Sequence, residues 1–331
     1  MIKNFLKNSD NFKASVILTL LFVAACFAVY VFKNLTYSKD VILQKAGTYY
    51  INEQYFMAAK YYDKAAELGV SGADMLRNYG IALTKLANYD QALKYLKLSA
   101  ESNPEDFETF YALGNAMFQK AVITNSSERF LQAAEYLEQA IILSPETEKS
   151  YILIGMCYRS CGMQEQARAW YRRALLSGNF SQAGFYNLLG HTFREEERYA
   201  EAASYYNRAA GADYSFAAAY CNMGDMQAKL NDNESALVNY EKAIEINPDY
   251  IIPYVRIGSI YADGGSFDEA IPWYQRALKI NPDSEKANYL LGMAYKEIGR
   301  KKEAAELLRK AAYCGSDDAV YELRNMGVEL R

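Results

Sequence analysis

Glycine and alanine recur along this chain at intervals of most often 34 residues, and no other feature of the sequence constrains its fold as strongly. The glycines of this repeat are Gly80, Gly114, Gly155, Gly190, Gly224, Gly258 and Gly292. The alanines are Ala58, Ala92, Ala133, Ala167, Ala202, Ala236, Ala270 and Ala304. Two columns that agree in residue type and in spacing indicate one structural unit copied along the chain.

The two columns divide residues 39–318 into eight repeats. The repeats span residues 39–72, 73–106, 107–147, 148–182, 183–216, 217–250, 251–284 and 285–318. The third repeat is seven residues longer than the common length, and its extra residues lie between Lys120 and Gln132.

Each repeat has the pattern of two helices joined by a turn. In the seventh repeat, apolar residues recur at three-and-four spacing over residues 252–264 and again over residues 267–280, with Gly-Gly-Ser between them. Small residues at fixed places let antiparallel helices approach closely, and large residues, many of the 30 tyrosines among them, fill the gaps beside them. The sequence therefore predicts an all-α fold, an α-solenoid of eight helical hairpins.

The pattern resembles the tetratricopeptide repeat (TPR), and the resemblance covers residues 39–318. It implies a right-handed superhelix whose first helices line a concave groove that binds a peptide or a partner protein. The first repeat departs from the pattern, since Lys45 and Ala46 stand where a large apolar residue and a glycine are expected. We interpret it as a capping or membrane-proximal repeat, because a terminal repeat presents one face to water.

Two features near the C-terminus also stand out. Asn288 interrupts a column of tyrosines in the eighth repeat. Residues 319–331 predict a final capping helix, with Val320 and Leu323 covering the last exposed face of the core.

The helical phase of each first helix predicts which side chains line the groove. The candidates, which lie between the packing columns, are Tyr111, Asn115, Phe118, Ile152, Met156, Arg159, Asn187, His191, Arg194, Asn222, Asp225, Ser259, Tyr289 and Met293. Asn187 and Asn222 suit a peptide backbone, because an amide both donates and accepts hydrogen bonds. The alternative is a solvated surface that no ligand touches.

The insertion in the third repeat is a second candidate contact site. Seven residues amount to about two helical turns, so each helix of this hairpin is expected to lengthen by about one turn. The longer hairpin would carry Val122, Ile123, Phe130 and Leu131 outward, to meet a partner, a second copy of the chain or a membrane. Alternatively, the extra turns bury these residues against each other.

Residues 14–32 form 19 consecutive positions without a charge, enough to cross a bilayer as a helix. We expect an uncleaved signal anchor that follows a tail at residues 1–13 and precedes a tether at residues 33–38. The alternative is a lipoprotein acylated at Cys26, which ends a lipobox-like sequence. Flanking lysines balance on the two sides, and a short tail usually stays in the cytoplasm, so the repeats are expected to be extracytoplasmic.

Composition narrows the function. A net charge of -4 disfavours nucleic acid as a partner, and a single histidine, His191, rules out a site built on several histidines. His191, Cys221 and Asp225 form a trio with metal or nucleophile chemistry in principle, but a lone groove histidine more often donates one hydrogen bond. No P-loop, GxSxG or HExxH sequence is present. We therefore expect no enzyme, no cofactor, no metal and no small-molecule substrate.

The sequence as a whole predicts a scaffold or assembly factor at a membrane. The groove would collect a protein or peptide partner, and the membrane segment at residues 14–32 would hold it at the bilayer. The alternative is a structural protein that self-associates and organises the cell envelope.

Overall fold

The computed structural model describes residues 22–30 and 38–330. Between Lys39 and Asn325 the chain forms seventeen α-helices, and over the described residues no strand is found. The chain divides into two compact units, the first ending at Cys161 and the second beginning at Gly162. The prediction of an all-α fold is confirmed.

The first unit holds seven of the helices. They are α1 (Lys39–Ile51), α2 (Tyr55–Glu67), α3 (Ala73–Lys85), α4 (Tyr89–Ser102), α5 (Phe107–Thr124), α6 (Ser127–Leu143) and α7 (Glu148–Ser160). The helices pack as antiparallel hairpins, and successive first helices contact each other, α1 with α3 and α3 with α5.

The second unit holds the other ten. They are α8 (Gln164–Ser177), α9 (Gln182–Glu195), α10 (Tyr199–Ala212), α11 (Ala217–Lys229), α12 (Asn233–Ile246), α13 (Ile251–Asp263), α14 (Phe267–Ile280), α15 (Glu285–Glu297), α16 (Lys301–Tyr313) and α17 (Asp317–Asn325). Hairpin pairs such as α9 with α10 and α13 with α14 repeat the arrangement of the first unit.

The glycine column marks the closest approach of the two helices in a hairpin. A Cβ atom added at Gly190 would lie 2.5 Å from a ring carbon of Tyr206, and one added at Gly80 would lie 2.5 Å from Cγ of Leu96. Carbon atoms in contact are normally about 3.5–4.0 Å apart, so these positions admit only a hydrogen atom. The glycines are therefore fixed by packing and not by backbone conformation.

The turn between the two helices of a hairpin holds one residue in the left-handed region. Gly265 and Gly299 occupy it with φ of 78° and 82°. Ala87, Glu197 and Asn231 occupy it with φ of 59°, 59° and 63°, although only glycine adopts this region at no steric cost.

The C-terminal helix α17 closes the core of the second unit, with a correction to the expected residues. Ala319 and Leu323 are buried in a cluster with Leu308, whereas Val320 is only half-buried. The helix begins at Asp317, two residues before the expected start, and Ser316 is its N-cap residue.

Asn288 replaces a tyrosine without losing its hydrogen bond. Its side-chain amide donates to the backbone carbonyls of Pro282 and Ser284, at 2.9 Å each. In the preceding repeat the hydroxyl of Tyr254 donates to the carbonyl of Pro248, also at 2.9 Å. Both side chains thus satisfy the carbonyl of a proline six residues earlier.

The N-terminal segment is only partly described. Residues 22–30 are helical and each is exposed, Cys26 included. None of the described helices is long and apolar enough to cross a membrane. The rest of the predicted span, residues 14–21 and 31–32, lies outside the described residues.

Candidate functional site

Six polar side chains lie on consecutive first helices of the second unit, and we call them the polar ladder. They are Asn187 and His191 on α9, Asn222 and Asp225 on α11, and Arg256 and Ser259 on α13. Arg256 is exposed and the other five are half-buried, so polar atoms face solvent from three neighbouring helices.

Hydrogen bonds connect the two asparagines and the histidine of the polar ladder. The Nδ2 atom of Asn222 donates to Oδ1 of Asn187 at 2.8 Å. The Asn187 amide nitrogen therefore faces Nε2 of His191, at 3.1 Å, and the hydroxyl of Tyr206 lies 2.9 Å from Nδ1 of the same ring. An amide nitrogen only donates, so Nε2 of His191 is the acceptor in this contact.

Asp225 of the polar ladder accepts hydrogen bonds from two side chains. The hydroxyl of Tyr240 donates to its Oδ1 atom at 2.8 Å, and Nε of Arg256 lies 2.9 Å from the same oxygen. Burial, together with the negative charge of Asp225, raises the pKa of the Tyr240 hydroxyl well above its usual value. The tyrosine therefore stays a donor, and the carboxylate is held between a buried hydroxyl and an exposed guanidinium.

Buried tyrosines on the second helices form hydrogen bonds with three side chains of the polar ladder. The rings of Tyr206, Tyr240 and Tyr274 pack on the column glycines Gly190, Gly224 and Gly258, respectively. Each hydroxyl then reaches the residue that follows the glycine, namely His191, Asp225 and Ser259. One side chain thus fills the core and orients a surface group.

This pairing could have been found in the sequence. Where leucine replaces the tyrosine, the residue after the glycine is apolar in two repeats: Ile81 with Leu96, and Met293 with Leu308. There are two exceptions: Asn115 accompanies Leu137 in the third repeat, and Met156 accompanies Tyr171 in the fourth. The signal is a correlation between two columns, and neither column shows it alone.

A cleft of about 720 Å³ adjoins the polar ladder in the second unit. It is lined by Arg194, Glu195, Glu197, Tyr199, Asp225, Met226, Ala228, Lys229, Asn231, Asn233, Tyr240, Arg256, Ser259, Ile260 and Asp263. Three of these, Arg194, Asp225 and Ser259, are among the groove residues predicted from the sequence. Charges of both signs line the cleft, so it favours a ligand with donors and acceptors over a purely apolar one.

The structure does not assemble the trio of His191, Cys221 and Asp225. Cys221 is 1% exposed and packs among apolar side chains, and burial raises the pKa of its thiol to about 12. A thiol that stays protonated is a poor nucleophile and a poor metal ligand. Over the described residues no group of three or more His, Cys, Asp or Glu side chains could hold a metal ion.

The other predicted groove residues fall into three sets. Tyr111, Asn115, Ile152, Met156 and Arg159 in the first unit, and Arg194 in the second, are half-buried. Tyr289 and Met293 pack against the cluster that contains Leu323 of α17, so they contact the capped core. The prediction for Phe118 is wrong, because its ring is buried and lies 5.5 Å from the ring of Phe130.

The hairpin of the third repeat has the predicted length, but only part of the predicted exposed surface. Its helices α5 and α6 are longer than those of the other repeats, and Val122 and Ile123 are exposed. Phe130 is buried against Phe118, so the expectation that it faces outward is wrong, and Leu131 is half-buried. The ring pair gains more from burial than from projection into water.

Antiparallel hairpins joined by glycine and alanine columns define a helical repeat protein, a class that presents its binding surface along successive repeats. Models described as tetratricopeptide or TPR repeats match residues 148–177, 183–216, 217–250, 258–299 and 286–313. The chain therefore contains tetratricopeptide repeats within residues 148–313. Such repeats mediate protein–protein interactions, which supports a role as an interaction scaffold.

The chain is also similar to a human protein, Protein O-mannosyl-transferase TMTC3. The two are 23% identical over 231 residues, which cover 66% of this chain and 25% of that protein. The chain therefore spans about a quarter of the length of this curated relative.

Two solved structures are similar. The APC/C hetero-tetramer Cut9-Hcn1 matches with a TM-score of 0.51 and 16% identity, covering 88% of this chain and 56% of the matched chain, and it supports the fold alone. MamA matches with a TM-score of 0.43 and 25% identity, covering 51% of this chain and 98% of the matched chain.

Proposed function

We propose that the chain is a non-catalytic scaffold that binds an extended segment of a partner protein along the polar ladder and its cleft. The observation that carries the proposal is the alignment of six polar side chains on three consecutive first helices, three of them hydrogen-bonded to buried tyrosines. Side chains already held in place lose little rotamer entropy on binding, which favours affinity.

The chemistry of the polar ladder suits a peptide backbone. Asn187 and Asn222 together offer amide donors and acceptors, and the pair of Asp225 and Arg256 adds one charge of each sign at the cleft. A backbone in extended conformation presents N–H and C=O groups in alternation, and such a mixed surface can satisfy both.

The proposal includes a membrane anchor at residues 14–32. It rests on the uncharged sequence and on the helical, exposed residues 22–30. An anchor would raise the local concentration of the scaffold and its partner at the bilayer without new contacts. We propose an extracytoplasmic placement of the repeats. Acylation at Cys26 would serve the same scaffold role with a different attachment.

Site-specific photocrosslinking in native membranes tests the groove. A photoreactive phenylalanine analogue at Ser259, in the cleft, should crosslink a partner protein. The same analogue at Asn207, exposed on the second helix α10, is the control and should not. Equal crosslinking at both positions, or adducts only between copies of this chain, would contradict partner binding in the cleft and favour the self-associating alternative.

A paired substitution tests the amides. Asn187→Ala together with Asn222→Ala should reduce the crosslinking yield at Ser259 by about tenfold, the equivalent of about 1.4 kcal/mol, since each amide contributes hydrogen bonds of about 0.5–1.5 kcal/mol. Asn207→Ala should leave the yield unchanged. An undiminished yield in the paired variant would remove the amides from the site.

A further inference from the structure

Large apolar side chains are exposed at the turns within the hairpins of the first unit. Ile51 and Phe56 flank the first turn and are 79% and 70% exposed, and Leu86 lies at the second. Val122 and Ile123, at the third, are 52% and 69% exposed. Because successive first helices contact each other and each is followed by its own turn, these turns lie along one edge, which we call the turn edge.

The lengthened third hairpin extends furthest at the turn edge. Nζ of Lys120 lies 2.5 Å from Oδ1 of Asp90, the second residue of α4, so Lys120 is level with the turn of the second hairpin. Helix α5 continues to Thr124, four residues or about 6 Å further. Val122 and Ile123 therefore lie beyond the neighbouring turn.

The equivalent turns of the second unit have a different composition. They contain the charged residues Glu197, Arg198 and Asp232, the polar residue Asn231, and glycines. Leu230, 49% exposed, and Met163, 36% exposed, are the large apolar exceptions. An apolar turn edge is thus a property of the first unit and not of the repeat as such.

We propose that the turn edge of the first unit docks on the surface of the lipid bilayer. This inference rests on the proposed anchor at residues 14–32. The tether at residues 33–38 can span about 20 Å when extended, and α1, with 13 residues, is about 20 Å long. Lys39 can therefore stand one helix length above the bilayer, which places Ile51 and the turn edge at the lipid headgroups.

The charge of the turn edge indicates the kind of contact. Lys85, Lys120 and Arg129 are offset by Glu53, Asp90 and Glu128. With the charges balanced, attraction to anionic lipids contributes little, and the contact comes from apolar side chains that enter the boundary between headgroups and acyl chains. The proposal therefore predicts docking on zwitterionic phosphatidylcholine.

Lipid quenching tests the proposal on the full chain in phosphatidylcholine nanodiscs. The exposed thiols of Cys26 and Cys314 and the half-buried thiol of Cys161 are first removed by Cys26→Ser, Cys314→Ser and Cys161→Ser. Ile123→Cys is then labelled with the fluorophore NBD. The matched control is Ile142→Cys, which is equally exposed at 69% but lies near the opposite end of its hairpin, next to the last residue of α6. Spin-labelled lipid should quench the label at position 123 about threefold more than at position 142.

Three results would overturn the inference, and a label at native Cys26 separates them. Quenching at Cys26 with equal, weak quenching at positions 123 and 142 overturns the docking of the turn edge and leaves the anchor in place. Absence of quenching at Cys26 overturns the anchor and the inference together. A blue-shifted label at position 123 that spin-labelled lipid does not quench means that protein, such as a second copy, covers the turn edge. Phe56→Cys repeats the measurement on a different helix, in case the first variant misfolds.

Discussion

Gly258→Ala tests whether packing fixes the glycine column. An alanine at this position in α13 would place its Cβ atom 2.5 Å from Cε1 of Tyr274, and 2.8 Å and 2.9 Å from two further ring carbons. Tyr274 is 1% exposed and belongs to a core cluster with Ile271 and Leu291. The ring therefore has no free space into which to move.

Two opposing effects set the magnitude. Glycine in a helix interior is about 1 kcal/mol less favourable than alanine, so the substitution alone stabilises α13. Overpacking a core costs about 1–3 kcal/mol, and a ring held on all sides gives the upper part of that range. We expect a net loss of about 1–2 kcal/mol, which lowers the melting temperature by about 2–8 °C for a unit of this size.

Thermal unfolding of the full chain, followed by far-UV circular dichroism, measures the effect. Gly211→Ala in α10 is the control, because nothing lies within 4 Å of its Cβ position, and this variant should be neutral or slightly stabilised. Gly258→Ala combined with Tyr274→Ala should lose less stability than the sum of the single changes. A Gly258→Ala variant that melts at or above the wild-type temperature would refute the packing argument.

Two further predictions concern a turn and the buried thiols. Ala87→Gly should raise the melting temperature by about 2–4 °C, since relief of a left-handed alanine, about 1–2 kcal/mol, outweighs the added entropy of glycine in the unfolded chain. Burial raises the pKa of Cys157 and Cys221 from 9.0 to about 12, so their contribution to stability is complete below pH 9 and is lost as the pH rises towards 12. The melting temperature should therefore fall more steeply between pH 8 and 10.5 in the wild type than in Cys157→Ala with Cys221→Ala.

Each of these predictions has a contradicting result. Gly265→Ala introduces the strain that Ala87→Gly removes, and if both variants shift the melting temperature in the same direction, the conformational argument fails. For the thiols, parallel pH curves for the wild type and the double variant would show that neither group ionises differently in the folded and unfolded chain.

The regular part of the fold could be predicted because it depends on residue types at fixed spacing. A glycine such as Gly190 and the large residue it faces, Tyr206, recur in register, so the hairpins follow from the sequence alone. The cap could be placed near its true position for the same reason, since Leu323 continues the apolar pattern.

The errors arose where a side chain had two possible neighbours. Helical phase placed Phe118 in the groove, and the longer hairpin was expected to carry Phe130 outward unless the extra turns buried it. The two rings instead pack on each other. Cys221 was considered together with His191 and Asp225 as a possible reactive trio. Its side chain is small and apolar, and it is buried in the core. Helical phase gives a direction, whereas burial depends on which residue of another helix faces it.

The hydrogen bonds between groove residues and buried tyrosines were also missed, because each groove residue was considered separately. His191 and Asp225 looked like independent candidates, although each is bonded to a tyrosine fifteen residues later. Only the three-dimensional arrangement shows that the two columns act together.

The hydrogen bond between a groove residue and its tyrosine limits how the polar ladder can change in evolution or by engineering. If Asp225 alone is exchanged for an apolar residue, the hydroxyl of Tyr240 loses an acceptor inside the protein, at a cost of about 1–3 kcal/mol. Replacing the tyrosine in the same step avoids this cost, and the combination of Met293 with Leu308 is such a replacement already present in the chain. Grafting a new specificity onto one of these repeats means transferring residue pairs and not single surface residues.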